Sequence, residues 1–126
     1  MRRDNTRSCG FCNENSHGNL KIQELLQKAN IPFVREKRFE DCRDKAQLPF
    51  DFYVNNTYLI EYDGRQHFQT AKENSLFYSE TIKIHDEIKN SWARNHNIPL
   101  IRIPYTHFDN LSLDDLKLET SKFLIN

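Results

Sequence analysis

The stretch Leu48–Phe68, LPFDFYVNNTYLIEYDGRQHF, constrains the chain more than any other. Two apolar-rich runs, Pro49–Val54 and Tyr58–Tyr62, flank a turn signal at Asn55-Asn56. This pattern predicts a β-hairpin. With a three-residue loop, the even positions share one face: Phe50, Phe52, Val54, Tyr58, Ile60 and Tyr62. That is a core face. The odd positions share the other: Asp51, Tyr53, Leu59, Glu61 and Asp63. Asp51 then stands directly opposite Glu61, and Asp63 lies two positions further on.

Opposed side chains on a strand pair are about 5 Å apart at Cβ, and like charges there destabilise. No Lys or Arg lies on this face of the hairpin. Three gathered carboxylates without a local cation point to an imported one, Mg²⁺ or Mn²⁺, which prefers carboxylate oxygens and water. The alternative is a solvated acidic face, its charges splayed into water at little cost.

A chain of 126 residues fits one domain with one core. Only 37% of it is apolar while 29% is charged, so a soluble protein is expected. No apolar run approaches a membrane span and no secretory apolar segment follows Met1, so the expectation is a cytoplasmic protein with no membrane partner. Three cysteines, an odd number, argue against a secreted disulfide framework. Net charge is zero but uneven. Residues 1–49 hold ten Lys/Arg against seven Asp/Glu, and residues 50–126 hold eight against eleven. A basic lobe beside an acidic site suits a metal-dependent enzyme acting on a polyanion.

Residues 1–15 read as an irregular basic arm, and 16–126 as a single domain. The arm carries Arg2, Arg3, Arg7 and then Cys9-Gly10-Phe11-Cys12. A CxxC pair is half of a structural zinc site. Cys42, His17 or an upstream segment could complete it; free thiols or a redox pair are the alternatives. Ser16 reads as the N-cap of a helix over about 18–30, with a stripe of Leu20, Leu25, Leu26 and Ala29, ended by Asn30-Ile31-Pro32. Phe33–Arg38 reads as a strand and 40–47 as a polar loop. Arg35, Lys37, Arg38, Arg43 and Lys45 form the densest basic cluster, either a solvated face or a set of phosphate contacts. Gly64 marks a strand exit that needs positive φ or a close backbone approach. Residues 69–80 read as a loop with some helix. The clearest helix is 81–96, with Ile84, Ile88 and Trp92 on one stripe, Ala93 beside it, and Asp86, Lys89, Asn90 and Ala93 along another side. Leu100–Ile103 reads as a short strand, and Ser112 as the cap of a last helix reaching about Leu124.

Taken together, these residues resemble the PD-(D/E)XK nuclease superfamily, and within it the small branch of very-short-patch repair and phage homing endonucleases. The resemblance is carried by Pro49-Phe50-Asp51, Glu61-Tyr62-Asp63-Gly64-Arg65-Gln66-His67, Asp86-x-x-Lys89-Asn90 and Ile101-Arg102-Ile103-Pro104-Tyr105, and covers roughly residues 9–105. It implies an α/β fold, a restriction-endonuclease-like α-β-β-β-α-β core whose mixed sheet is flanked by helices. It also implies divalent-metal-dependent hydrolysis of phosphodiester bonds in DNA. A phage-encoded member would work in the host cytoplasm, and a homo-oligomer stays open. Two positions depart from the pattern. Asn19 stands where the branch carries a Glu near the start of the first helix, and Asp63 stands where the superfamily carries a Lys.

On this reading Asp51 and Glu61 hold Mg²⁺, with Asp63 as a third ligand or a water-orienting group. Lys89, Gln66 or His67 takes over charge stabilisation from the absent Lys. His67 suits a general base near neutral pH; its alternative is a loop histidine bonded to backbone. Asp86 and Lys89 are spaced i,i+3, so a plain helix ion pair competes with Lys89 reaching the scissile phosphate. Arg102 pairs with Asp86 or contacts DNA. A nucleic-acid-binding domain of the same fold without turnover is the alternative function.

Overall fold

The computed structural model describes residues 10–64 and 75–125. The order is α1 (Gly10–Lys28), β1 (Phe33–Arg43), β2 (Gln47–Val54), β3 (Tyr58–Asp63), α2 (Ser75–Asn95) and β4 (Leu100–Pro104), followed by short 3₁₀ turns at Tyr105–Asn110 and Leu113–Leu116. The four strands form one sheet in the order β1-β2-β3-β4. β1–β2 and β2–β3 pair antiparallel, whereas β3–β4 pair parallel across α2. This is the α/β architecture expected from the sequence. Among the described residues no helix is long and apolar enough to cross a membrane.

Each face of the sheet is covered. Ile22 and Leu26 of α1 pack with Phe52, Val54, Tyr58, Ile60, Tyr62, Ile101 and Ile103. Trp92 and Ala93 of α2 pack with Cys42, Leu48, Phe50, Leu59 and Leu100. Burying each large apolar side chain contributes about 1.5–3 kcal/mol. The odd-numbered hairpin face is therefore a second core face: Leu59 is fully buried and Glu61 is 4% exposed. The acidic face splayed into water, considered above, is not what forms.

The expected grouping of Phe50 with Phe52 and Val54 also fails, since Phe50 packs under α2 beside Trp92, with ring centroids 5.8 Å apart. The change of side coincides with an irregular position in β1. Arg35 pairs with Phe52 and Lys37 with Phe50, so Glu36 lies opposite Asp51, and Glu36 has φ of 53°. A left-handed residue within a strand re-aims its neighbours.

Both long helices end on the same sequence, Asn-Ile-Pro. Asn30 and Asn97 take left-handed backbone with φ of 59° and 57°. Ile31 N–H donates to Leu26 O and Asn30 N–H to Gln27 O; Ile98 N–H donates to Ala93 O and Asn97 N–H to Arg94 O. These are Schellman closures. The isoleucines complete them by packing one on each core.

Four element boundaries differ from expectation. α1 starts at Gly10, so from that residue the expected irregular arm is helix, and Ser16 lies inside rather than at a cap. Its buried stripe runs through Ile22 and Leu26, while Leu20 is 50% exposed. β1 continues to Arg43, which pairs with Gln47, so the polar loop at 40–47 shrinks to a turn at 44–46. Cys42, Phe39 and Asp41 anchor that extension against α2: Asp41 Oδ1 accepts the Trp92 indole N–H at 2.9 Å. α2 begins at Ser75, earlier than expected. The last helix is only one 3₁₀ turn over Leu113–Leu116. The chain beyond it instead covers the edge of β4, with Arg102 N–H donating to Phe123 O and Ile125 N–H to Leu100 O. An open strand edge is thereby closed.

Candidate active site

The β2–β3 hairpin sets the site. Its register pairs Phe52 with Ile60, Tyr53 with Leu59 and Val54 with Tyr58. Asn55 and Asn56 both take left-handed backbone, φ 53° and 55°, and Thr57 N–H closes the turn on Val54 O. The loop is the three-residue one expected. One step past the last pair, carboxylates replace the ladder bonds. Asp51 N–H donates to Glu61 Oε2 at 2.9 Å, and Tyr62 N–H donates to Asp51 Oδ2 at 2.8 Å. Each acid is thus fixed by a backbone N–H of the strand opposite.

Tyr62 also ties the hairpin to α1. A Cβ on Gly18 would lie 2.3 Å from the Tyr62 ring, so only glycine lets the helix approach this closely. Of the two alternatives expected for Gly64, positive φ is not taken.

α2 and β4 supply what the hairpin lacks. Lys89 Nζ donates to Glu61 Oε1 at 3.1 Å. Arg102, the ladder partner of Glu61 in β4, donates from Nη1 to Asp63 Oδ1 at 2.6 Å and from Nε to Asn90 Oδ1 at 2.9 Å. Its Nη2 lies 3.4 Å from Asp86 Oδ1, a charge contact without hydrogen-bond geometry. Lys89 thus bonds Glu61, and Asp86 meets Arg102. Arg102 contacts both Asp86 and Asp63.

Among the described residues, Asp51, Glu61, Asp63 and Asp86 share the site with Lys89 and Arg102. Burial, and then the charge of Glu61, push the Asp51 carboxyl up to about 8; the Tyr62 N–H and Lys89 offset part of this. Burial disfavours the Arg102 charge, but Asp63, Glu61 and Asp86 outweigh it and raise its pKa.

Among the described residues no three of His, Cys, Asp and Glu are grouped so as to hold a metal. Asp51 and Glu61 are the pair whose chemistry fits Mg²⁺, which keeps several waters and takes one or two carboxylates plus phosphate oxygens. Only one oxygen of Asp51, Oδ2, is used among the described contacts.

The remaining candidates separate. Gln66, His67 and Cys9 lie outside the described residues, as does the side chain of Cys12. Cys42 is fully buried under α2 and its thiol is pushed up to about 11 by burial, which disfavours the thiolate that zinc requires. The basic cluster is not one patch. Arg35 donates to Gln23 Oε1 at 2.8 Å and stacks on Phe52 toward α1. Lys37 lies over Phe39 and Tyr53. Arg38 and Arg43 bond the backbone carbonyls of Gln47 and Glu40, and Lys45 is exposed at the hairpin turn. Arg35 is thereby a packing residue, while Arg38, Arg43 and Lys45 stand at the surface. Asn19, beside Gly18, has a buried Oδ1 with no hydrogen-bond partner.

Sequence reasoning missed Gly18 and the joint contact of Asn90 and Asp86 with Arg102. The side shared by Asp86, Lys89 and Asn90 was legible, but what it faced was not, because Arg102 lies on another strand. Comparison of the chain with protein-family models, with curated proteins and with solved structures found no match.

Proposed function

We propose that the chain is a divalent-metal-dependent endonuclease that hydrolyses phosphodiester bonds in DNA. The observation that carries the reading is the Asp51–Glu61 pair. Two acids are opposed on neighbouring strands, one held largely protonated near neutral pH by burial and by the other, with a lysine on the second. Asp51 Oδ1 takes no described contact, and a cation bound beside it would offset the burial cost of the charged carboxylate. Bound there, Mg²⁺ would neutralise charge building on the phosphate and supply an activated water.

The chain's own groups divide the remaining work. Asp51 and Glu61 orient the ion, each fixed by a backbone N–H. Lys89 spends one donor on Glu61 and has others to offer a phosphate oxygen. His67 is the proposed general base, with Gln66 beside it in sequence. Arg38, Arg43 and Lys45 supply backbone contacts to DNA, and the work takes place in the cytoplasm.

The test is incubation with supercoiled plasmid, with and without Mg²⁺. We expect metal-dependent nicking that Asp51→Asn or Glu61→Gln abolishes; wild-type cutting by either variant would remove the assignment. One observation favours a second reading, a nucleic-acid-binding domain without turnover. Asn19 places a buried, unpartnered amide oxygen where the resemblance calls for an acid. A salt-dependent gel shift with no cleavage in Mg²⁺ or Mn²⁺ selects it.

A further inference from the structure

We propose that Asp63 and Arg102 are positioning residues. They form a clamp that fixes α2 to the sheet at the height of the site and so sets Lys89 on Glu61. The proposal rests on the reading of Asp51 and Glu61 as the cation ligands, and it gives Asp63 Oδ1 to Arg102 instead of to the cation.

α2 connects two parallel strands, so it runs back along them and its turns meet their rungs in reverse order. At its C-terminal half the contact is apolar. Ala93 is fully buried and Trp92 lies against Phe39 and Phe50, packed with Leu59 and Leu100. Among the described residues the apolar contact thins toward the N-terminal half: Ile88 is half-buried against the same core and Ile84 is 50% exposed. There the sheet presents Glu61, Asp63 and Arg102 in place of leucines.

Arg102 fills the gap. One guanidinium reaches Asp63 on β3, Asn90 on α2 and Asp86 one turn earlier on the same helix. Its side chain is 10% exposed and that of Asp63 14%, so the contacts are shielded from water. Lys89 is the chain neighbour of Asn90, and any lift or rotation of α2 at Asn90 moves Lys89 off Glu61. Arginine suits this role because its planar fork binds several acceptors at fixed angles, which an ammonium cannot do. Asp63 meanwhile gives Oδ1 to a charge-assisted bond of 2.6 Å, and a cation on that oxygen would have to displace Arg102.

The test uses the full chain in three measurements. Calorimetric titration with Mg²⁺ in the absence of DNA should give Asp63→Asn an affinity within about threefold of wild type, and Asp51→Asn at least about tenfold weaker. Plasmid cleavage by Asp63→Asn and by Arg102→Lys should lose about tenfold or more in kcat, with KM for DNA within about twofold, since a misplaced group slows chemistry without loosening the substrate. The melting temperatures of Asp63→Asn, Arg102→Gln and the double variant should be non-additive, the double losing no more than the worse single. Mg²⁺ affinity falling in Asp63→Asn as far as in Asp51→Asn would make Asp63 a ligand and overturn the proposal, as would additive thermal losses. If wild-type protein neither binds Mg²⁺ nor cuts DNA, the nuclease reading fails by itself, and the thermal cycle alone decides the clamp.

Discussion

Replacing Asp51 by Asn tests the electrostatics of the site without any assay of activity. The change is isosteric. Its amide oxygen can still accept the Tyr62 N–H now taken by Asp51 Oδ2, and its NH₂ group can donate to Glu61. Asp51 titrates near 3.8 in an unfolded chain and is pushed up to about 8 in the folded one by burial and by Glu61. Below about pH 4 the group is protonated in both states and costs nothing. Between about pH 4 and 8 the unfolded chain releases the proton while the folded chain retains it, so stability falls as pH rises; above about 8 the full penalty is present. At about 1.4 kcal/mol per pKa unit the ceiling is about 5–6 kcal/mol. Relaxation and water penetration around a buried carboxyl lower the realised cost, so about half of that, 2–3 kcal/mol, is the expected net effect.

Unfolding by urea in EDTA reads this directly. Asp51→Asn should be more stable than wild type by about 2–3 kcal/mol at pH 8 and within about 0.5 kcal/mol of it at pH 4.5. For a chain of this size the pH 8 difference is about 6–10 °C in Tm. Adding Mg²⁺ at pH 8 should raise the Tm of wild type and leave the variant nearly unchanged, because only wild type regains a ligand pair. A variant less stable than wild type at pH 8 in EDTA would refute the reasoning, and so would a difference that stays constant from pH 4.5 to 8.

Gly18→Ala places a methyl 2.3 Å from the Tyr62 ring, so it should cost about 1–3 kcal/mol in urea unfolding; an unchanged midpoint would mean α1 can shift freely. Glu36→Gly relieves a left-handed backbone within a strand and should be neutral or stabilising by up to about 1 kcal/mol, whereas Glu36→Val should destabilise; the reverse order in thermal melts would contradict the φ of 53°. His67→Ala should lower turnover by about 10²-fold with DNA affinity retained and should remove the acid limb of the pH–rate profile. A near-normal rate with that limb intact would move the base to solvent. If Cys9 and Cys12 ligate zinc, protein purified without added metal should carry about one zinc per chain that Cys9→Ser removes; metal-free protein with an unchanged Tm would leave them as ordinary thiols.

What the sequence discloses follows from the range of each interaction. The hairpin register was legible because it depends on the consecutive residues 49–62, two of them asparagines that tolerate left-handed backbone. It placed Asp51 opposite Glu61 correctly. The helix-ending Asn-Ile-Pro triplets were legible for the same reason. The extension of β1 through Glu40-Asp41-Cys42-Arg43 was not, because its pattern contains a single apolar residue and its hold is the bond from Trp92, 51 positions away, to Asp41. The final helix failed for a related reason: Ser112 and two following acids make a good start, but the tail is drawn to the edge of β4. Arg102 illustrates the general difficulty. Nothing near it in sequence says whether it meets protein or ligand, and three partners from two other elements decide the matter.

The face of the sheet under α2 is one surface with two chemistries. Along β3 it passes from Leu59 to Glu61 to Asp63, and along β4 from Leu100 to Arg102, so the change from apolar to charged occurs within one rung. The same helix covers both halves, using Ala93 and Trp92 over the first and Lys89, Asn90 and Asp86 over the second. Stability and chemistry are therefore opposed on a shared element. Continuing the leucines would extend the core and remove the buried repulsion that raises Asp51. On the proposed function it would also remove the carboxylates that hold the cation. The chain keeps the acids and limits their cost with backbone N–H donors, a lysine and one multiply bonded arginine. A site built this way should become more stable as its acids are neutralised, and less able to bind a cation in the same proportion.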